Sequence, residues 1–187
     1  MDQVRLILQI LAGFIFLFQA YRLLKDDYPE IQIVKVSLLS LVISLAWQYL
    51  ISLFGVRLHV FGHLIAVVTA VFIFTNRLEW RFWSVMEALT WPGLISLAVA
   101  YAGLIEGVVY LIFVLGGFFW RNYRNFRWYP SGKVGFFFLI NLIFIAIFQI
   151  GLDFWQRWLI ELSVWSLVLV SGISGIVLLS GREQRVK

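Results

Sequence analysis

No cysteine occurs among the 187 residues. That absence removes disulfides, thiolate metal sites and a cysteine nucleophile. Charge is scarce as well, at 13% of residues, where soluble domains carry about 25%. No Ser/Gly-rich linker, low-complexity tract or long polar tail marks a second domain, so residues 1–187 read as one domain. A His-Glu-x-x-His zinc motif, carboxylates paired four apart inside an apolar run, a Walker-type glycine loop and a nucleophile elbow are all missing; His59 and His63 stand four apart, but without that glutamate. The sequence therefore names no metal and no cofactor. Without a convincing internal repeat, an inverted-repeat transporter is a weak reading.

What is present is apolar. Hydrophobic residues make up 62% of the chain. A soluble fold of this size could not hide so much apolar surface, so the expected solvent is a bilayer. The net charge of +5 fits the basic cytoplasmic loops of a membrane protein better than a nucleic-acid partner. The first apolar run lacks a small-residue cleavage site and is followed by more such runs, which argues against a signal peptide.

About 20 apolar residues cross the hydrocarbon as a helix. Seven stretches qualify: 6–24, 31–54, 58–74, 83–102, 104–120, 134–154 and 159–180. Residues 82–120 as one helix would be about 60 Å long, roughly twice the hydrocarbon thickness. A turn is expected at Ala102-Gly103, where glycine bends most cheaply. The cations support this division. Arg22, Lys25, Lys35, Arg77, Arg81, Arg121, Arg124, Arg127, Lys133, Arg182, Arg185 and Lys187 fall on one side, and Arg5, Arg57 and Arg157 on the other. By the positive-inside rule the N-terminus is outside and the C-terminus cytoplasmic. The expected fold is all-α, a polytopic bundle of about seven transmembrane helices. Trp80, Trp83, Trp120, Trp128, Tyr129, Trp155 and Trp158 sit at span ends, as an interfacial belt would. Ser171 and Gly175 form a small-xxx-small face expected to pack within the bundle.

Polar residues inside the apolar runs are the functional candidates, because an acid at mid-membrane costs about 2.5–3.5 kcal/mol. They are Glu87, Glu106, Asp153, His63, Gln48, Asn141, Gln149 and Lys35. Lys35 can snorkel. Asp153 is near the outer end of its span, where water would solvate it. His59 is expected in a loop. His63 reads either as hydrogen-bonded packing or as a base. Glu106 reads as a cavity wall or as an interfacial carboxylate at a tight turn.

One stretch carries a resemblance. Leu104-Ile-Glu-Gly-Val-Val-Tyr110, then a hydrophobic helix, a basic loop over 121–127, and Gly132 opening the next helix resemble the prolipoprotein diacylglyceryl transferases. That family has a Tyr-Glu-x-x-x-Glu-Gly segment, which Tyr101, Glu106 and Gly107 match, and Pro130 and Gly132 sit in the equivalent loop. Tyr21-Arg-Leu-Leu-Lys25 is similar to the family's first helix end, and Val60-Phe-Gly-His-Leu64 to its His-Gly-Gly-Leu segment. Arg81 to Pro92 resembles the following helix, with Glu87 near a family Asp, and Leu162-Ser163 opens the last helix as a Leu-Ser does there. The resemblance covers most of the chain.

The family moves the diacylglyceryl group of phosphatidylglycerol onto a lipoprotein cysteine, using a base near the thiol and cations around the leaving glycerol phosphate. The resemblance implies a bacterial inner-membrane (plasma membrane) protein of lipoprotein biosynthesis, whose partners are phospholipid and a prolipoprotein signal peptide. It implies His63 and Glu106 as catalytic, with Tyr101, Gln149, Asp153 and Glu87 binding substrate. The family's Gly-Arg-x-Gly-Asn-Phe segment is missing, Gln149 stands at the place of an essential Arg, and His63 is displaced by two residues. No span core holds an Arg. The transfer chemistry is therefore expected to be impaired. The alternatives are a non-catalytic lipid-binding relative and a small proton- or cation-coupled transporter using Glu87 and Glu106.

Overall fold

A computed structural model of the chain describes residues 3–54, 59–78, 80–120, 133–156 and 159–180. The basic loop 121–132, Arg57, Arg157, Trp158 and the C-terminal cations from Arg182 onward lie outside the described residues. So do the side chains of Arg5, His59, Trp120 and Trp155.

Seven α-helices and no strand are found among the described residues: α1 Gln3–Leu24, α2 Glu30–Phe54, α3 His59–Leu78, α4 Phe82–Ala100, α5 Ile105–Trp120, α6 Phe136–Gln156 and α7 Leu159–Ser180. All but α5 are long and apolar enough to cross a membrane; the apolar part of α5 is the shorter stretch Ile105–Gly117. Large apolar side chains face outward, among them Phe14, Phe18, Leu45, Leu53, Leu111 and Leu178. In water such faces would aggregate. Around a multi-pass membrane protein they are the ordinary lipid contact.

The chain divides into two compact units, Met1–Leu115 and Gly116–Lys187. In the first, α1 packs against α2 and α4, and α3 against α2 and α4, so α1 to α4 form a closed ring of four neighbours. Short connections make successive helices antiparallel. Ser96 of α4 ties the ring by donating to the Ala12 carbonyl of α1 at 2.8 Å. At one end the rings of Tyr28 and Trp80 meet with centroids 4.3 Å apart, joining the α1–α2 and α3–α4 connections. Burial there favours the neutral Tyr28 phenol and raises its pKa, helped by Asp27 and opposed by the Arg81 backbone N–H and charge. Trp80 also packs near Phe74, 6.5 Å between centroids, so this belt residue is built into the bundle.

In the second unit α6 packs against α7. The close approach is made by Gly172 and Gly175, where an added Cβ would lie 2.9 Å from Ile143 and 2.9 Å from Leu139 respectively. The packed pair is thus three apart. Ser171 is exposed and bonds its own helix at the Leu167 carbonyl, so it is not part of that face. Gly175→Leu is expected to push α6 and α7 apart, lowering stability by about 1–3 kcal/mol. Gly151→Ala, with nothing within 4 Å of its Cβ position, should leave stability equal or higher. Thermal unfolding of both variants in detergent checks the contrast.

The expected break in residues 82–120 falls where glycine allows it. Helix α4 ends at Ala100, the Tyr101 N–H bonds the Leu97 carbonyl, and Gly103 takes φ +84° before α5 begins. Two expectations need correction. Helix α3 starts at His59, which is not in a loop. Asp153, expected to be wet, is only 3% exposed; α6 continues past it to Gln156 and α7 covers it.

Candidate functional site

The α4–α5 turn is closed by its own backbone. Leu104 N–H bonds the Tyr101 carbonyl at 3.1 Å, and Ala102 N–H the Val99 carbonyl at 3.1 Å. The first turn of α5 then lies directly over that carbonyl. A Cβ on Gly107 would sit 2.3 Å from Tyr101 O and 2.7 Å from Tyr101 C. Only glycine fits there. Glu106 beside it is in the first turn of α5, where the unpaired backbone N–H groups favour a carboxylate. It is half-buried and an electrostatic neighbour of the Tyr101 hydroxyl. The Tyr101 ring stands edge-on to Tyr110, 5.9 Å between centroids, and Tyr110 is fully buried. Tyr101, Glu106 and Gly107 therefore form one structural unit.

His63 is the fifth residue of α3 and faces α2. Its Nδ1 meets Ser44 Oγ, and its Nε2 is 2.8 Å from the Gln48 amide nitrogen. Ser44 and Gln48 are four apart, on one helix face. An amide that donates to Nε2 requires a ring proton on Nδ1, which then donates to Ser44. Both nitrogens are engaged by α2, so the ring clasps two helices. To act as a base, Nε2 must exchange Gln48 for a substrate proton. Ser44 was invisible as a partner in the sequence: a serine in an apolar helix carries no signal until the facing helix is known. Behind the clasp, Trp47 lies over Gly62, with its Cδ1 1.6 Å from where a Cβ would be, and meets Phe61 edge-on at 6.1 Å.

Because α3 and α4 are antiparallel neighbours, His63 near the start of α3 and Tyr101 after the end of α4 lie at the same end of the first unit. Glu87 does not join them. It is half-buried in the second turn of α4, about 20 Å along the helix from Ala100 at 1.5 Å per residue.

Gln149 and Asp153 belong to the second unit, four apart on α6, both buried. Asp153 Oδ2 has no hydrogen-bond partner among the described residues. Glu161, in the first turn of α7 and 8% exposed, is a charged neighbour of it. Asn141, earlier on α6, donates to the Phe137 carbonyl at 2.8 Å and so satisfies its own helix. Among the described residues no group of three or more His, Cys, Asp or Glu could hold a metal ion.

A scan against family models, a search of curated proteins and a search of solved structures each return no match.

Proposed function

We propose that this chain is a multi-pass membrane protein that handles phospholipid on the plan of a prolipoprotein diacylglyceryl transferase, with its transfer chemistry weakened. The observation that carries the reading is the Tyr101–Gly107 turn. The residues that resemble the family motif are also the residues whose geometry depends on one another. His63 at the same end of the unit supports it.

The weakening is read from His63 and from Gln149. His63 is held from both sides by neutral partners, and Gln149 offers no charge to a leaving phosphate. Losing a single transition-state hydrogen-bond donor costs roughly 10²–10³ in rate at an oxyanion site. In this reading all seven helices span the plasma membrane, with α5 as the short span, the N-terminus outside and the C-terminus cytoplasmic. The shared end of Tyr28 and Trp80 supports that sidedness, since it gathers Lys25 and Arg81 at one end of the first unit. The acceptor would be a prolipoprotein signal peptide.

The test is transfer from phosphatidylglycerol to a lipobox peptide by purified protein. Slow transfer that falls at least tenfold in His63→Ala, Glu106→Gln and Gln149→Leu supports the assignment. Transfer that none of the three changes rejects these residues. The absence of any transfer, with native phospholipid retained through purification, favours the non-catalytic relative, in which His63 is a clasp and nothing more. Proton-dependent flux in liposomes that is lost in Glu106→Gln would replace both with a transporter.

A further inference from the structure

Helix α6 carries a single charged residue, Asp153, and α7 a single one, Glu161; both are acids. The glycine contacts fix how these antiparallel helices are aligned. A Cβ on Gly172 would meet Leu142 and Ile143, and one on Gly175 would meet Leu139. Counted from Gly172 and Leu142 toward the connection, seven residues along each helix set Trp165 against Gln149, and eleven set Glu161 against Asp153. Counting from Gly175 and Leu139 returns the same pairs. All four residues are buried, Asp153 to 3% exposure and Glu161 to 8%. The charge of Glu161 acts on Asp153, in agreement with that alignment. Asp153 Oδ2 is closed to solvent and has no hydrogen-bond partner among the described residues.

Two carboxylates facing each other out of water are costly when both are ionised, because repulsion and lost hydration act in the same direction. Three kinds of partner can neutralise them. A side-chain cation is scarce here. Neither helix has one, and Lys133 precedes the far end of α6, which is about 25 Å from Asp153 at 1.5 Å per residue. Arg157 stands in the connection, outside the described residues, and brings one charge against two. A calcium or magnesium ion takes about six oxygen ligands or more. The facing oxygen-bearing side chains are Asp153, Glu161 and Gln149, and Oδ2 admits no water to complete the shell. A proton needs no cavity. Held on one carboxyl and donated to the other, it gives Oδ2 a partner and removes the second charge.

We infer that Asp153 and Glu161 form a proton-binding site, in which one proton is shared as an O–H···O⁻ bond across the α6–α7 contact and leaves as pH rises. Its release sets two charges against each other at the connection end, while Gly172 and Gly175 keep the helices in contact further along. The site thus couples proton uptake to closure of one end of the hairpin. An amide at position 153 does permanently what the proton does reversibly. The inference goes beyond the proposed function and requires neither a lipid substrate nor transfer chemistry.

The experiment records infrared spectra of the whole chain in hydrated phosphatidylcholine membranes, from mildly acid to alkaline pH, in H2O and in D2O. The expected result is a protonated-carboxyl band at about pH 5, where ordinary carboxyls are already mostly ionised. It should shift in D2O and fade as pH rises. Asp153→Asn and Glu161→Gln should each remove it from its parent position, and Glu87→Gln and Glu106→Gln should keep it. Thermal unfolding in detergent is the second readout. Unfolded acids ionise near about pH 4, so above that pH unfolding releases the shared proton. The parent's folding constant should therefore fall by up to about tenfold per pH unit until the band has faded. The stability of Asp153→Asn relative to the parent should rise by the same factor. Absence of the band at about pH 5, or its survival unchanged in either amide variant, overturns the proposal. So does a band that appears only in Arg157→Gln, which assigns the neutralising charge to the arginine, or one displaced by calcium chloride at constant pH, which makes this a metal site. The parent's own band and unfolding need no variant, so a variant that fails to fold leaves the test intact. Failure of the transfer assay has no bearing on it.

Discussion

Gly107→Ala will open the turn between α4 and α5. The added methyl has to occupy a point 2.3 Å from the Tyr101 carbonyl oxygen. Backbone cannot swing aside as a flexible side chain can, so either the first turn of α5 unwinds or the Tyr101–Leu104 bond breaks. Overpacking in a close-packed region costs about 1–3 kcal/mol, and occasionally more; contact with backbone puts this site at the upper end. Two readouts separate the effect from general fragility. Gly103→Ala meets nothing within 4 Å and suffers only from its φ of +84°, about 1–2 kcal/mol. Gly93→Ala, also with open space, should be neutral or stabilising. The expected order of thermal stability in detergent is Gly93→Ala at or above the parent, then Gly103→Ala, then Gly107→Ala. If Gly107→Ala proves as stable as Gly103→Ala, the turn is not packed as described. A Gly107→Ala chain that still folds should lose whatever lipid chemistry depends on Tyr101 and Glu106, because both are displaced.

The second large effect has the opposite sign. Asp153→Asn is expected to stabilise the α6–α7 unit by about 1–3 kcal/mol, the range for relieving an unsatisfied buried group. The residue is 3% exposed, Oδ2 has no partner among the described residues, and Glu161 nearby carries a charge of like sign. The amide keeps the shape, removes the repulsion and can donate to Glu161. Polar groups held at such a cost are usually held for function, so the same variant should be more stable and less able to handle lipid. Asp153→Leu removes the group altogether and should match or exceed the asparagine in stability. A destabilised Asp153→Asn would mean that the carboxylate is compensated by a charge, and the idea of a retained polar position would fall.

Much of the architecture was written in composition and spacing. Apolar runs separated by charged turns fix where helices start and stop, since a polar backbone in hydrocarbon has no alternative to helical hydrogen bonds. The ends of six of the seven elements therefore agree with the runs to within a few residues; α3 extends furthest, to Leu78, carrying Arg77 in its last turn, where a cation suits the helix dipole. The Ala102-Gly103 turn was legible because a 39-residue apolar stretch has to break and glycine marks the place.

What the chain alone could not reveal is which side chains meet. Periodicity is blunt in a helix that is apolar on every side, so Ser37, Ser44 and Ser171 look alike in the sequence. One is buried with no hydrogen-bond partner among the described residues, one receives an imidazole, and one faces outward. The depth of Asp153 was hidden for the same reason: nearness to a span end suggests water, but the facing helix decides. Sequence determined a set of membrane-length helices and where they turn. Tertiary packing decided that His63 clasps α2 and that Asp153 is dry, because each depends on a facing helix brought close by folding; that Gly107 touches the Tyr101 carbonyl, six residues back, was decided by the way the turn itself closes.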